Sequence, residues 1–527
     1  MTEAVITIIE ADGSRTALHA PKGKTLHAVL TEAGYAVEAP CGGNGTCGKC
    51  EVAAEGALSA ATPEEQGLPS GKRLACRARV EGDCTVRLDE GKRSAGYAVL
   101  TEGAAAAFPF RPWAAGGLGA AVDIGTTTVV VYLYDLDTGA RLAVRGAANR
   151  QRSCGADVIS RISYSMTEPD GLLRLTGFIR SQLRDLFAAA AADAGRSAAE
   201  IRAVTVAGNT VMAHLFTGLS PARLSKLPFT PESLFGEGFA ADFGAELGLA
   251  EDAEMLIVPA VSGYVGGDIV AAALAAGLDR AGAPVLLLDI GTNGEMALAA
   301  GGRIFCCATA AGPAFEGAGI ACGMGGTDGA LARAALQNGA LACEVIGGGK
   351  ARGICGSGLI DLLAAMLDLG AVDETGRLLP PDEAPEAALP YIREQEDGEA
   401  AFYVAEDVFV SGRDVRQLQL AKAAIAGGIA TLLDEAGLGA EAVTTLYLAG
   451  GFGNKIDPVN AGKIGLYPAE LAARAVSVGN GAGAGAAAAL CSAAARAALT
   501  RLRDRMEYIE LSADPRFMDH YVEQMMF

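Results

Sequence analysis

The tetrapeptide Asp-Ile-Gly-Thr occurs twice in the chain, beginning at Asp123 and at Asp289. Each copy follows a short apolar run that predicts a buried strand, and the glycine that comes next predicts a tight turn. A glycine turn lets the backbone approach a phosphate closely, while amides and threonine hydroxyls donate to its oxygens. An aspartate at the strand end can hold a hydrated Mg²⁺. The repeat therefore predicts two similar lobes that face each other across a phosphate-binding cleft.

A third apolar run, Thr445–Ala449, leads into the glycine turn Gly450–Gly453. Three such segments, in this order along the chain, resemble the sugar kinase, Hsp70 and actin superfamily of ATPases. The resemblance implies that Asp123–Thr128 is the first phosphate loop, that Asp289–Glu295 is the second, and that Gly450–Gly453 is the adenosine loop. An α/β protein that merely uses glycine turns after its strands is the alternative interpretation.

The same resemblance assigns roles to single residues. The predicted catalytic residues are Asp123 and Asp289, which would organise Mg²⁺-ATP from opposite sides of the cleft, and Glu295, the next candidate to position the attacking water. The predicted nucleotide contacts are Gly125, Thr126, Thr127, Gly291, Thr292, Asn293, Gly450 and Gly451. Each aspartate alone could be a turn-capping side chain, but that interpretation explains a matched pair poorly.

Four cysteines mark a second kind of chemistry. Cys41, Cys47 and Cys50 form a C-x5-C-x2-C pattern in a glycine-rich loop, and Cys76 follows at a distance. This is the ligand pattern of a [2Fe–2S] cluster, one residue longer than the plant-type spacing, and it resembles the adrenodoxin-like ferredoxins. Zinc is less favoured, because zinc sites more usually use paired C-x2-C arms or include histidine. Cys84 is predicted to be a buried structural thiol, although it could replace a ligand.

The predicted fold class is α/β, with two modules in one chain of 527 residues. Strand, helix and capping signals predict an N-terminal β-grasp [2Fe–2S] ferredoxin domain, followed by a two-lobed actin/Hsp70/sugar-kinase-like ATPase. The predicted boundaries are 1–90 for the ferredoxin-like domain, 91–118 for a flexible linker, 119–283 for ATPase lobe I and 284–527 for ATPase lobe II. Trp113 in the linker is either a docking anchor for the ferredoxin domain or an aromatic packed on the nearest lobe.

The charge balance limits the partners. A net charge of −20 argues against nucleic acid or an anionic membrane. The first residues lack the basic start and long apolar run of a signal peptide, and the alanine- and glycine-rich stretch 481–499 is too weakly apolar to span a bilayer comfortably. We therefore expect a soluble cytoplasmic protein whose partners are proteins and small molecules.

Three further segments carry local predictions. Asp268 stands at the start of a predicted helix and is most simply its N-cap, with a catalytic role as the less favoured interpretation. The sequence Ser477–Gly483 leads into an alanine-rich helix that should pack tightly, as the second interlobe connection of the superfamily does. The tail from Asp514 to Phe527 has apolar residues at helical spacing and should dock on its own lobe rather than on a partner.

A ferredoxin domain, a linker and this ATPase in one chain resemble the reductive activators of corrinoid proteins. The motifs that carry the resemblance, besides the cysteine loop and the second phosphate loop, are Gln151–Arg161, Gly208–Thr210, Ala310–Gly317, Asp414–Lys422 and Glu510–Pro515. The resemblance implies ATP-dependent transfer of one electron from the cluster to a Co(II) corrinoid protein, an upstream electron donor, and a homodimer. Larger members of the family carry an extra small domain where this chain has only the linker.

Two other functions stay open at the level of sequence. One is an ATP-driven electron donor to a different low-potential enzyme, and the other is a non-catalytic iron–sulfur redox sensor. Turnover with a purified Co(II) corrinoid protein would separate the corrinoid activator from both of these functions.

Overall fold

The computed structural model describes residues 3–10, 13–33, 35, 37, 39, 43, 45, 48–88, 100–103, 107–114, 116–239, 242–396 and 398–527. They form a small N-terminal domain and two larger lobes, each built around its own sheet. Among these residues, no helix has the length and apolar character needed to cross a membrane.

The N-terminal domain is a five-stranded mixed sheet with one helix packed on it, which is the predicted β-grasp arrangement. Its elements are β1 Glu3–Ile9, β2 Arg15–Pro21, α1 Leu26–Glu32, β3 Glu51–Leu58, β4 Lys72–Leu74 and β5 Val80–Arg87. The strand order is β2-β1-β5-β3-β4, and β1 and β5 run parallel while the other pairs are antiparallel. The helix begins at Leu26 because the Thr25 hydroxyl caps it, and Leu26 and Leu30 are fully buried against the sheet.

The first lobe is built on a five-stranded sheet of order β10-β9-β6-β7-β8. Its elements are β6 Leu118–Ile124, β7 Thr128–Asp135, β8 Arg141–Ala148, α2 Val158–Thr167, α3 Gly171–Asp193, β9 Ile201–Gly208, α4 Thr210–Thr217, β10 Glu254–Ile257 and α5 Gly267–Ala275. The central strand β6 is buried on both faces, which explains its continuous apolar sequence before Asp123.

The second lobe is built on a six-stranded sheet of order β21-β20-β11-β12-β13-β22, with two smaller three-stranded sheets beside it. Its elements are β11 Val285–Ile290, β12 Gly294–Ala300, β13 Arg303–Thr309, β14 Ala330–Gln337, β15 Ala340–Val345, β16 Gly353–Ile354, α6 Gly356–Asp368, β17 Ile392–Glu394, β18 Ala400–Ala405, β19 Val408–Ser411, α7 Gly412–Ala436, β20 Thr445–Ala449, α8 Gly450–Gly453, α9 Pro458–Lys463, β21 Ala475–Gly479, α10 Gly481–Cys491, α11 Ala493–Arg505, β22 Met506–Tyr508 and α12 Pro515–Glu523.

Helix α10 packs against α5 of the first lobe, as the tight packing predicted for this alanine-rich segment requires. A Cβ on Gly485 would lie 2.0 Å from the Ala271 carbonyl oxygen, so only glycine allows the two backbones to meet this closely. Residues from both sheets, including Ala121 and Leu287, share one buried cluster with these helices. The pair α5 and α10 therefore forms the connection between the lobes, although the sequence assigns them to different lobes.

The linker is more ordered than its composition predicted. Gly103 forms a β-bridge with Gly479, Arg111 forms one with Ser492, and the backbone amide of Asn480 donates to the Glu102 carbonyl. The prediction of a flexible linker over 91–118 is therefore wrong for residues 100–103 and 107–114, because backbone hydrogen bonds hold them on the ATPase. Residues 89–99 lie outside the described part of the chain.

Trp113 belongs to this ordered segment. Its ring packs against the shared interlobe cluster, and the Arg496 guanidinium lies 4.4 Å from the ring centroid. The interpretation of Trp113 as an aromatic packed on the ATPase is confirmed.

At the other end of the chain, α12 packs on α7, with Phe517 and Tyr521 against Gly427. The predicted docking of the tail on its own lobe is confirmed as well.

The N-terminal domain contacts the first lobe and lies near the second. Helix α1 lies beside residues 150–154 of the first lobe. The side chain of Lys49, from the cysteine loop, lies near the Cys322 thiol of the second lobe and favours its ionised form. Burial outweighs this effect, so the pKa of Cys322 is raised.

Candidate active site

The two Asp-Ile-Gly-Thr segments occupy equivalent positions at the ends of the central strands of the two sheets. Asp123 is next to last in β6, where it pairs with Val130 and Ala207, and Asp289 is next to last in β11. The register sets Asp289 opposite Glu295 on β12 and Ala449 on β20. In both loops the turn is closed by a backbone hydrogen bond of 2.9 Å, from Gly125 to Thr128 and from Gly291 to Asn293.

Four carboxylates meet in the cleft between these strand ends. Burial raises the pKa of Asp123 to about 6. Burial and the neighbouring carboxylates raise the pKa values of Asp268 and Asp289 to about 7, and that of Glu295 well above its usual range. The charge of Asp123 contributes to the raised pKa of Asp289, so the two carboxylates lie near each other.

Such a cluster of like charges is relieved by a cation. Within the described part of the chain, no group of three His, Cys, Asp or Glu side chains is arranged to ligate one metal ion directly.

Buried polar side chains hold the first loop from below. Arg161, on α2, is completely buried, and its guanidinium donates to the carbonyl oxygens of Thr126 and Gly155. Burial lowers the pKa of Arg161 to about 9, so the side chain is still a cation at neutral pH. The Asn149 amide donates to the Gly125 carbonyl at 2.8 Å. The carbonyls of Gly125 and Thr126 are thus held by side-chain donors.

The motif Gln151–Arg161, which generic strand and helix needs do not explain, supplies this support. Gln151 is fully buried, accepts a hydrogen bond from Arg161 at 3.4 Å and donates to the Leu175 carbonyl at 3.0 Å. Asn209, the N-cap of α4, donates to the Thr126 hydroxyl at 3.0 Å. Two family-specific motifs therefore converge on one loop.

A carboxylate joins the two loops. The Glu316 Oε1 atom accepts hydrogen bonds from the Thr127 hydroxyl at 3.4 Å and from the Thr292 hydroxyl at 2.8 Å. Thr127 belongs to the first lobe and Thr292 to the second. Both predicted phosphate-binding hydroxyls therefore donate to the same anionic oxygen, which is the geometry that a phosphate oxygen would require.

The predicted adenosine loop begins beside the second phosphate loop. Gly450 has a positive φ of 84°, and a Cβ at this position would lie 2.3 Å from the Asp289 Oδ1 atom, so no larger residue fits. Gly451 follows on the exposed side of α8. Phe452 stacks on Phe315 with ring centroids 5.1 Å apart.

The prediction that Asp268 caps α5 is wrong. The N-cap is Gly266, and Asp268 is the second residue of the helix, where its carboxylate accepts a hydrogen bond from the adjacent amide of Ile269 at 2.9 Å. The charge of Asp289 helps to raise the pKa of Asp268, and the charge of Asp268 helps to raise that of Glu295, so the three carboxylates lie near one another. Asp268 therefore belongs to the carboxylate cluster.

In the cysteine domain, two of the four predicted ligands lie among the described residues. The Cys50 and Cys76 sulfur atoms are 3.2 Å apart, and Gly43 of the loop lies against Cys76. Cys41 and Cys47 lie outside the described residues. Cys84 is buried within the sheet on β5, and burial raises the pKa of its thiol to about 11. That environment agrees with a structural thiol.

Comparisons with known proteins cover the whole architecture. The family model of a 2Fe-2S iron-sulfur cluster binding domain matches residues 9–81, that of the RACo middle region matches 118–281, and that of the C-terminal domain of RACo, the ASKHA domain, matches 283–527. The chain is 34% identical to the corrinoid activation enzyme RamQ of Eubacterium limosum over 424 residues, which cover 78% of this chain and 70% of the relative. The chain belongs to the family of reductive activators of corrinoid proteins.

Two more relatives of this activator agree. It is 25% identical over 402 residues to the [Co(II) methylated amine-specific corrinoid protein] reductase of Methanosarcina barkeri, covering 69% of this chain and 68% of the relative. A solved structure of a reductive activator for corrinoid, iron-sulfur protein matches 100% of this chain and 98% of its own, with a TM-score of 0.70 and 30% identity. The predicted family and fold class are confirmed.

Four residues of this corrinoid activator were not predicted as parts of the site: Asp268, Arg161, Glu316 and Asn480. Asn480 caps α10 and donates to the Asp123 carboxylate at 2.8 Å. Arg161 and Glu316 belong to motifs that carry the resemblance to the family. The sequence therefore drew attention to both residues, but their spacing alone did not indicate what they do.

Proposed function

We propose that this protein uses Mg²⁺-ATP to drive the transfer of one electron from a [2Fe–2S] cluster to a Co(II) corrinoid protein, which becomes Co(I). The observation that carries the proposal is the pair of phosphate loops, whose threonine hydroxyls already share one anionic oxygen across an acidic cleft. The same chain carries a 2Fe-2S cluster binding domain that contacts the first lobe and lies near the second.

Each half of the nucleotide site has a distinct task in this proposal. The hydroxyls of Thr126, Thr127 and Thr292 donate to phosphate oxygens. Asp123 and Asp289 hold the water shell of Mg²⁺ from the two lobes. The flat surface at Gly450 and Gly451 accommodates the adenosine. Support comes from the placement of all these groups around a single cleft.

Hydrolysis needs a group that orients water. Glu295 and Asp268 are the candidates, since both carboxylates stand behind Asp289 with raised pKa values. A carboxylate with a raised pKa is a stronger base than an ordinary one, so it can accept a proton from an attacking water and release it again. The side chain of Asn293 hydrogen-bonds to Glu295 and orients its carboxylate.

Cys41, Cys47, Cys50 and Cys76 are proposed to hold the cluster, which supplies the reducing electron when bound. An upstream donor must return that electron after each turnover. A plant-type cluster lies near about −400 mV, and each ~60 mV of uphill gap disfavours a one-electron transfer about tenfold. ATP can shift this balance only if it distinguishes two states of the complex, since a ligand with equal affinity for both shifts nothing.

The decisive experiment mixes the pre-reduced protein with a purified Co(II) corrinoid protein and follows the Co(I) absorbance with Mg²⁺-ATP, with Mg²⁺-ADP and without nucleotide. We expect Co(I) to accumulate only with ATP. Equal Co(I) in all three samples would contradict the coupling. Nucleotide-dependent complex formation without any Co(I) would instead indicate a redox sensor.

The cluster assignment has its own test. Anaerobically purified protein should contain about two irons and two sulfides per chain. Cys76→Ser should lose the visible charge-transfer bands, whereas the matched variant Cys84→Ser, in the same domain, should keep them. Near-stoichiometric zinc in place of iron would contradict the assignment.

A further inference from the structure

The turn that carries Glu316 is held in place by its surroundings. Phe315, next to Glu316, is buried and stacks on Phe452 of the adenosine loop. Gly317 has a positive φ of 79°, and a Cβ there would lie 2.7 Å from the backbone nitrogen of Met324. Glu316 itself is exposed to the cleft. Its carboxylate therefore projects from a fixed turn toward the two phosphate loops and is not a freely moving surface side chain.

The partners of Glu316 are the groups that a triphosphate needs. Each threonine hydroxyl has a single proton to donate. While Thr127 and Thr292 donate to Glu316 Oε1, they cannot donate to a phosphate oxygen. A phosphate and a carboxylate also repel each other at such distances. The carboxylate and a bound phosphate therefore exclude each other.

A buried cation makes the exchange favourable. Arg161 lies beneath the first loop, bonded to the Thr126 carbonyl, and the negative charge of Glu316 stabilises its charged form. No ion pair of Arg161 with a carboxylate occurs within the described ranges. An incoming phosphate carries more negative charge than the carboxylate it replaces, so Arg161 favours the phosphate.

We propose that Glu316 occupies the phosphate position shared by the two loops and ties the lobes together, and that ATP binds by displacing this carboxylate. The two threonine hydroxyls then donate to phosphate oxygens instead of to Glu316. The Glu316 side chain rotates away and is solvated by water. The inference rests on the proposed function, because it requires that the loops bind a triphosphate. It makes Glu316 a positioning residue that opposes nucleotide binding, although it stands inside the nucleotide site.

The test measures binding of a non-hydrolysable ATP analogue with Mg²⁺ by calorimetry. Wild type is compared with Glu316→Ala, Glu316→Gln and the matched surface control Glu386→Ala. Removal of the competitor should lower the Kd about tenfold in Glu316→Ala, which corresponds to ~1.4 kcal/mol. Glu316→Gln keeps an acceptor oxygen but loses the charge, so its Kd should lie between those of wild type and Glu316→Ala. The Kd of the control should match that of wild type.

A double-mutant cycle separates displacement from a merely structural role. In a Thr292→Val background the hydroxyl that both anions need is gone, so Glu316→Ala should improve binding by clearly less than tenfold. The cluster spectrum and the melting temperature at saturating analogue should match wild type in every Glu316 variant.

Three results would overturn the inference in different ways. Analogue binding that is unchanged or weaker in Glu316→Ala would reject displacement while leaving the nucleotide site intact. The same tenfold gain with and without the Thr292 hydroxyl would show that Glu316 does not act through that group. Absence of binding in wild type and all variants would overturn the proposed nucleotide site, and the displacement with it.

Discussion

The two predicted phosphate loops begin with the same four residues but are held in different ways. In the first loop, a Cβ on Gly125 would lie 2.8 Å from the Thr128 carbonyl oxygen, so glycine is required, and Arg161 and Asn149 hold the loop carbonyls. In the second loop, a Cβ on Gly291 would meet nothing closer than 3.8 Å. The first loop is therefore fixed by its own tight turn and by buried donors, whereas the second depends on its turn and its neighbouring strands.

Their charges differ as well. Asp123 receives a hydrogen bond from Asn480, which opposes the rise of its pKa, whereas Asp289 stands among Glu295, Asp268 and Gly450. The second loop accordingly has the greater need for a cation. We therefore expect the repeated motif to be divided into a rigid side that binds the anion and an acidic side that carries more of the cation binding.

The largest effect is expected from the acidic side. Asp289→Asn should lower ATP hydrolysis by at least about a hundredfold, because a preorganised electrostatic group typically contributes that much to a rate. The measurement is phosphate release at saturating Mg²⁺-ATP, with the cluster spectrum as a check on folding. The surface variant Asp382→Asn serves as the control. Hydrolysis at the wild-type rate would remove Asp289 from the catalytic site.

The next effect tests the rigid side. Arg161→Met removes a buried cation and leaves the loop carbonyls without donors, so we expect a loss of roughly 3 kcal/mol in the free energy of unfolding. ATP binding should weaken too, since the first loop loses its support. Thermal unfolding and calorimetric titration measure both, with the exposed Arg223→Met as the matched control. A normal melting temperature together with normal binding would show that Arg161 does not hold the loop.

The pH dependence distinguishes the two sides more finely. The pKa values of Asp268 and Asp289 are raised from 3.8 to about 7. The folded protein then binds more protons than the unfolded chain between about pH 4 and pH 7, so the stability of the nucleotide-free protein should fall as pH rises through this window. Mg²⁺ requires ionised carboxylates, so it should raise the melting temperature more at pH 8 than at pH 6.

A matched pair of variants gives the contrast. Asp289→Asn should remove more of this pH dependence than Asp123→Asn, because the pKa of Asp123 is raised only to about 6. Equal losses in the two variants would contradict the division into an anion-binding and a cation-binding side.

The smallest effect is expected at Asn480. Asn480→Ala removes the helix cap of α10 and the hydrogen bond to Asp123, which should cost about 1 kcal/mol of stability. The pKa of Asp123 should rise further, so Mg²⁺ binding should weaken more at pH 6 than at pH 8. Asn480→Ser, which can still cap the helix, should recover the stability but not the pH effect.

Much of the site could be predicted because it follows from local rules. Polar residues directly after buried strands must lie at the sheet edge, and this is enough to bring Asp123 and Asp289 to one cleft once the lobes are paired. The turns at Gly125 and Gly450 could also be predicted from the sequence. Each needs glycine, because the neighbouring atoms leave no room for a side chain.

The residues that were missed depend on contacts distant in sequence. Arginine is rarely fully buried, so nothing in the sequence indicates that Arg161 lies beneath a loop 35 residues away. Asp268 stands near a helix start, where a cap is the commonest role, and only the packing of α5 between the sheets turns it toward Asp289. The composition of residues 100–114 indicated flexibility. Composition could not reveal their β-bridges to Gly479 and Ser492, because these are tertiary contacts.

The position of the N-terminal domain beside both lobes has a geometric consequence. Helix α1 contacts residues 150–154 of the first lobe, and Lys49 lies near Cys322 of the second. A rigid body cannot keep its place beside two others that move relative to each other. Any rotation of one lobe against the other would therefore also shift the N-terminal domain relative to at least one of them, and a change in the nucleotide cleft would be felt at the electron carrier.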